Sequence, residues 1–415
     1  MSEKVRATYV IETALPLEKA AAVIANEQSS GTFVAVARET DELKARFAAE
    51  VSGVEQLPPS GLPPLPGASG DWSQVRRGRV TIDFPLDNFG PSLPNMMAAV
   101  AGNLFEIREV GALKLVDLDL PSAFAERYPG PQFGVQGTRD LMGRPDGPML
   151  GTIIKPSIGL TPEQLGQLVS ELADAGIDFI KDDELQGNAP GAPLAERVRV
   201  VTDVLNRYAD LHGRKPMYAF NITDDLSRLE ENHDLVAQAG GTCVMVCITS
   251  VGIAGVEFLR RHSQLPIHGH RTGFGAWSRS PQVGIAFRAF QKLVRLSGAD
   301  HLHTNGIQNK FYETDDDVLA SIADVRTPLL GGYETVPVLS SGQSAGLAHA
   351  TYAAVGTDDL LVLAGGGIHG HPNGSAAGVH AMRDAWEAAI AGEPLDQRAA
   401  RSPDLAVALQ KFGRR

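Results

Sequence analysis

Cysteine is almost missing: Cys243 and Cys247 are the two in 415 residues. They stand four apart in an apolar run, without a Cys-x-x-Cys spacing. That excludes a disulfide framework and makes two buried thiols in a strand the expected state, ahead of a metal or redox pair. A basic surplus is missing too. Lys and Arg number 37 against 49 Asp and Glu, a net charge of −12. This disfavours nucleic acid or an anionic membrane as the main partner. It leaves anionic small substrates open, because a site can be basic locally. No apolar stretch reaches the roughly 18 residues that suggest a membrane-spanning helix. The first residues show no basic segment leading into an apolar one. A cytoplasmic protein without membrane contact is expected. Low-complexity sequence is confined to a Pro- and Gly-rich segment at 57–67, which reads as a surface loop.

What is present suffices for a large core, with 43% hydrophobic residues. Residues 7–12, 32–37, 79–84 and 112–118 read as strands; 16–26 and 95–101 read as helices. This order of strand, helix, strand, strand, helix, strand describes a small α+β domain over residues 1–128. From about residue 129 the rhythm changes. Short apolar runs lie at 149–154, 179–181, 217–221, 244–248, 265–268, 299–303, 336–339 and 360–364. Helical spacing fills segments between them, such as 162–175 and 194–209. Eight strand-then-helix units predict a (β/α)₈ TIM barrel over residues 129–415, closed by a helical C-terminal tail.

Polar residues follow nearly every run, and in a barrel such residues converge on one mouth. The sharpest group is Lys181-Asp182-Asp183-Glu184. Alternation along a strand lets Lys181, Asp183 and Glu184 share a site. Carboxylate oxygens suit a hard cation such as Mg²⁺. A lysine fits there by pairing with the carboxylates, or as the anionic carbamate that CO₂ would make of it. A solvated charge run is the simpler explanation of the same four residues. Gly365-Gly366-Gly367 and Ser340-Ser341-Gly342 offer backbone N–H groups that can cradle phosphate, although a tight turn alone also explains each. His268, His270 and Arg271 follow the fifth run and His303 the sixth. Paired histidines can hold Zn²⁺ or act as bases; Arg271 beside them favours an anion over a cation. Lys310, in a loop past His303, reads as a mobile cover of the mouth or as an ordinary surface lysine.

Together these motifs resemble the large subunit of RuBisCO, in order and at matching spacing from about residue 5 to 390. Gly151-Thr-Ile-Ile-Lys155-Pro156 resembles the strand that carries a proton-donating lysine, here Lys155. Phe179-Ile-Lys181-Asp-Asp183-Glu184 resembles the activation motif. The resemblance implies a CO₂-derived carbamate on Lys181, with Asp183 and Glu184 as Mg²⁺ ligands. His270 and Arg271 match residues for proton transfer and phosphate binding, and His303 and Lys310 match the histidine and the lid lysine. Ser340, Gly342, Gly365 and Gly366 match the phosphate-binding turns. Glu27 and Thr32 resemble residues that reach a neighbouring subunit's site, and Asn103 one near the metal. A homodimer or a multiple of dimers is therefore implied.

The departures imply a RuBisCO-like (form IV) protein. Ser157 stands where RuBisCO has a second lysine, Ile153 where a threonine is usual, and Asn373 where a tryptophan is usual. The lid reads Asn-Lys-Phe-Tyr-Glu. Asn103, Lys155 and Lys310 set the chain apart from the sulfur-salvage enolase class. The resemblance thus implies a phosphorylated, sugar-derived substrate. Transcarboxylation and hydrolysis of 3-oxo-isoapionate 4-phosphate is favoured, since that chemistry uses the fuller residue set. Its decarboxylation, enolisation or isomerisation of a methylthio-sugar phosphate, and a non-catalytic RuBisCO-like protein remain alternatives.

Overall fold

The computed structural model describes residues 3–31, 36 and 38–413. Its strands in chain order are β1 (Lys4–Thr13), β2 (Glu50–Leu57), β3 (Arg76–Pro85), β4 (Val110–Asp119), β5 (Met149–Ile153), β6 (Phe179–Lys181) and β7 (Met217–Asn221). They continue with β8 (Cys243–Cys247), β9 (Ile267–His270), β10 (Val283–Ile285), β11 (His301–His303), β12 (Val336–Leu339) and β13 (Leu361–Leu363). The chain divides into two compact units, residues 1–129 with 273–296, and residues 130–272 with 297–415.

The first unit is a five-stranded sheet in the order β10-β4-β1-β3-β2. β1 alternates, and Val5, Ala7, Tyr9 and Ile11 form its buried face. Helix Leu17–Glu27 sets Leu17, Ala20, Ala21, Ile24 and Ala25 inward. The strand expected at 32–37 falls almost wholly outside the described residues. A strand not expected, Glu50–Leu57, precedes β3 and follows a helix at Asp41–Phe47. β10, parallel to β4, completes the sheet from far along the chain.

The second unit is the expected barrel, a closed ring of eight parallel strands, β11-β12-β13-β5-β6-β7-β8-β9. Its strands are short and buried on both faces, so they appear in the sequence as plain apolar runs. Met149, Phe179, Met217, Met245, Val338 and Leu363 meet inside it, and Met142 joins them from helix Gly134–Met142. Both cysteines are free and buried in β8. Helices fall between the strands, for instance Pro162–Asp174, whose N-terminus is held by a reciprocal Thr161/Gln164 capping box. Among the described residues no helix is long and apolar enough to cross a membrane.

Candidate active site

β6 ends in the acidic group, and its alternation separates two neighbouring aspartates. Asp182 turns outward. It pairs with buried Arg197, accepts the Tyr218 hydroxyl at 2.6 Å and the Asn221 amide at 2.9 Å, and so has a structural task. Lys181 and Asp183 turn to the mouth. Asp183 Oδ2 lies 2.6 Å from Lys155 Nζ, which also donates to Ser157 Oγ at 2.8 Å. Burial pushes the Asp183 carboxyl up, but the Lys155 ammonium and the Leu185 amide outweigh it, and the group lies below its ordinary value.

Lys181 is fully buried. Its Nζ donates to the Asp182 carbonyl at 2.8 Å, meets Met245 Sδ at 3.5 Å and stands 3.8 Å from Glu184 Oε2. Desolvation lowers its pKa, against the opposing pull of Glu184 and Asp183. Glu184 also faces His270 Nε2 at 3.5 Å. Asn221 donates to the carbonyls of Asp183 and Glu184, each at 3.2 Å, and so fixes the backbone that presents both carboxylates. Nothing in the sequence marks Asn221 for that task beyond its place at a strand end.

At the end of β9, His270 Nδ1 accepts the Thr272 amide at 3.1 Å, which leaves Nε2 for the mouth. Burial holds this imidazole well below its usual pKa, with Lys181 and Arg271 adding to the shift. Arg271 binds the Glu313 carboxylate with both terminal nitrogens, one at 3.0 Å, and Asn305 donates to the same carboxylate. Glu313 closes the lid sequence Asn-Lys-Phe-Tyr-Glu, where nothing singles it out. It lies three residues past Lys310 and ties the lid segment to Arg271, just past the end of β9. His268 is enclosed, with one ring nitrogen 3.3 Å from His301 and the other 2.8 Å from His303. Both its nitrogens are engaged, so the geometry speaks against Zn²⁺ held by His268 and His270.

The last strands lead to the two turns. Ser340 Oγ lies 3.1 Å from His303 Nδ1. Gly342 has φ +94°, a conformation open mainly to glycine. The Ser341 carbonyl accepts the Lys310 amide at 3.2 Å, so the lid loop rests on this turn. Lys310 itself is exposed, its ammonium 5.2 Å from the Phe311 ring centre. In the other turn a Cβ at Gly367 would stand 2.3 Å from the Gln343 carbonyl oxygen, so glycine is needed for the turns to pack together. A Cβ at Gly365 would meet the Lys155 side chain at 3.6 Å, and one at Gly366 would meet nothing within 4 Å. Gly366 therefore borders open space. His369 and His371, which follow, bond the Ile153 and Asp404 carbonyls at 3.0 and 2.9 Å and are structural.

Lys155 with Asp183, and Lys181 with Glu184 and His270, thus form two adjoining clusters at the C-terminal ends of the strands. Arg271 with Glu313, and His303 with Ser340, form further pairs at the same end. Glu27 and Asn103 are exposed in the first unit, at the end of a helix and the start of a 3₁₀ turn. Thr32 lies outside the described residues.

Fold and mouth define a (β/α)₈-barrel enzyme. The model of the ribulose bisphosphate carboxylase large chain catalytic domain matches residues 134–412, and that of its N-terminal domain matches residues 2–124. The chain belongs to the RuBisCO large-chain family, as a RuBisCO-like protein. It is 52% identical to the 3-oxo-isoapionate-4-phosphate transcarboxylase/hydrolase of Xanthobacter autotrophicus, over 99% of both chains. It is 44% identical to the 3-oxo-isoapionate-4-phosphate decarboxylase of Rhizobium rhizogenes, over 98% of this chain and 97% of that protein. The crystal structure of a rubisco-like protein from Burkholderia fungorum superposes with a TM-score of 0.91 at 44% identity, covering 98% of this chain and 99% of that one.

Proposed function

We propose that the enzyme converts 3-oxo-isoapionate 4-phosphate and water to 3-phosphoglycerate and glycolate, a step of apiose catabolism. The carboxyl group migrates within the substrate, and hydrolysis then cleaves a C–C bond. The observation that carries this reading is the pair of adjoining clusters, Lys155 with Asp183 and Lys181 with Glu184 and His270, in one mouth. Identity to the Xanthobacter transcarboxylase/hydrolase supports the choice of substrate.

The donor set fits Mg²⁺. Asp183 and Glu184 supply hard carboxylate oxygens beside Lys181. Burial favours the neutral Lys181 amine, the form that adds CO₂, loses a proton and becomes a carbamate. The carbamate, Asp183 and Glu184 would hold the ion. When bound, Mg²⁺ would polarise substrate oxygens as a Lewis acid.

The other roles fall to the chain's own residues. Neutral His270 acts as a base through Nε2. Lys155 returns the last proton to the carbanion left by cleavage. Lys310 holds the migrating carboxylate, an electrostatic role. Arg271, Gly342, Gly365 and Gly366 bind the phosphate, and Ser340, backed by His303, accepts a substrate hydroxyl. Glu27, Thr32 and Asn103 act in a homodimer, where the partner copy's N-terminal segment completes the mouth. Decarboxylation of the same substrate is the second reading, favoured by the 44% identity to the Rhizobium rhizogenes enzyme. It asks of the protein only the metal site and a proton donor such as Lys155.

Purified enzyme with Mg²⁺, bicarbonate and 3-oxo-isoapionate 4-phosphate, followed by ¹³C NMR, tests both. We expect 3-phosphoglycerate and glycolate, and their loss in Lys310→Ala. Release of CO₂ with a four-carbon ketose phosphate would establish the decarboxylase instead. An untouched substrate would overturn both readings and return attention to methylthio-sugar phosphates.

A further inference from the structure

Three buried histidines cross the barrel interior in single file. The row starts on helix Gly134–Met142, where Thr138 Oγ1 lies 2.5 Å from the Gly134 carbonyl oxygen and 3.0 Å from His301 Nε2. His301 Nδ1 lies 3.3 Å from His268 Nδ1, and His268 Nε2 lies 2.8 Å from His303 Nε2. The row ends at the mouth, where His303 Nδ1 lies 3.1 Å from Ser340 Oγ. All five side chains are buried.

Each of these contacts has room for one proton, and one end of the row fixes where every proton sits. A carbonyl oxygen only accepts, so the Thr138 hydroxyl donates to Gly134 and accepts from His301 Nε2. His301 Nδ1 is then bare, and His268 donates to it from Nδ1. His268 Nε2 is bare in turn, and His303 donates to it from Nε2. His303 Nδ1 is left to accept the Ser340 hydroxyl. An extra proton on any of the three rings would leave His303 Nδ1 protonated and turn Ser340 from donor to acceptor. Burial favours the neutral form of all three histidines, in agreement with this order.

We propose that Thr138, far along the row from the mouth, is a positioning residue for the active site. Anchored on the Gly134 carbonyl, it sets the tautomer of His303 through His301 and His268, and with it the direction of the Ser340 hydroxyl. Ser340 Oγ then turns only lone pairs to the mouth. The catalytic side of this inference rests on the mouth being the active site, as argued above. The tautomer does not depend on which substrate is used.

The test is long-range ¹H–¹⁵N correlation on ¹⁵N-histidine-labelled protein, with His303 assigned through His303→Gln. Wild type and Thr138→Ser should show His303 in the Nε2–H form alone. Thr138→Val offers His301 no acceptor, and His303 should gain an Nδ1–H population. With whichever substrate the enzyme turns over, kcat should fall about tenfold in Thr138→Val, the worth of one hydrogen bond. KM should stay nearly unchanged, and Thr138→Ser should restore kcat. If Thr138→Val fails to fold, Thr138→Cys keeps a weak acceptor and should shift the tautomer less. An Nδ1–H tautomer in wild type, or a tautomer blind to position 138, overturns the inference and leaves the substrate reading intact. A tautomer that shifts while kcat holds overturns the positioning role. Inactivity toward 3-oxo-isoapionate 4-phosphate counts against the substrate reading alone.

Discussion

The two ends of the barrel both bury charge, and they do so differently. At the end where the strands begin, each carboxylate is held by several donors, Asp300 by five. Asp300, just ahead of β11, accepts the amides of Gln132, Phe133 and Gly134 on one oxygen, and Arg260 with the Ile267 amide on the other. Asp178, just ahead of β6, accepts the Leu150 amide at 2.9 Å and Arg383 at 2.7 Å. Arg139 meets Asp359 at 2.9 Å and the carbonyls of Gly147 and Asp358 at 2.8 and 3.0 Å. At the mouth, Lys181 and Glu184 stand 3.8 Å apart, Glu184 and His270 3.5 Å apart, and Lys155 is 38% exposed. A carboxylate held by several donors holds the fold. One with capacity to spare is available to a cation or a substrate.

Asp183→Asn should draw the sharpest line between the ends. It removes a charge from the proposed metal site, where loss of several kcal/mol of transition-state stabilisation lowers kcat/KM by about 10³-fold or more. Mg²⁺ binding by calorimetry should weaken in parallel. The melting temperature should move by only a few degrees, because Lys155 reaches solvent. Full activity in Asp183→Asn would erase the distinction.

Asp300→Ala should do the reverse. It leaves Arg260 buried without its counter-charge and strips five N–H donors of their acceptor. Breaking such a pair costs about 3–5 kcal/mol, readable in chemical denaturation. Activity per folded molecule should stay within a few fold of wild type. Lost activity at unchanged stability would show that this end, too, serves the chemistry.

The same contrast explains what the sequence discloses. The eight barrel strands are legible because parallel strands buried on both faces leave apolar runs, and their polar followers mark the mouth. β2 is illegible because it is the sheet edge: none of its residues is buried, so it shows no period. β10 pairs through a parallel contact with a strand some 170 residues earlier in the chain, beyond any local signal. Asp182 and Asp183 look alike in sequence, and only Arg197 and Tyr218 assign the first to the fold. Asp300 lies within the apolar run at 299–303, but its donors come from three separate segments. Glu313 pairs with an arginine 42 positions earlier, so its part in the mouth needed the fold.

The smallest effect concerns His301, which belongs to neither end. Burial without a charged partner lowers its pKa to about 3. The unfolded chain's histidine takes up a proton as pH falls through about 6.5. Folding must then release that proton, because the native ring stays neutral to about pH 3. The stability this residue contributes is therefore complete above pH 6.5 and declines as pH falls, by at most about 1.4 kcal/mol per unit, levelling off near pH 3. Unfolding free energies measured from pH 7 to pH 4.5 should fall more steeply for wild type than for His301→Gln. The wild-type His301 ring nitrogens should keep their neutral ¹⁵N shifts throughout that range. A His301 that titrates near pH 6 would mean that water or a carboxylate reaches the middle of the barrel. The division into a donor-held foot and an available mouth would then need a third region between them.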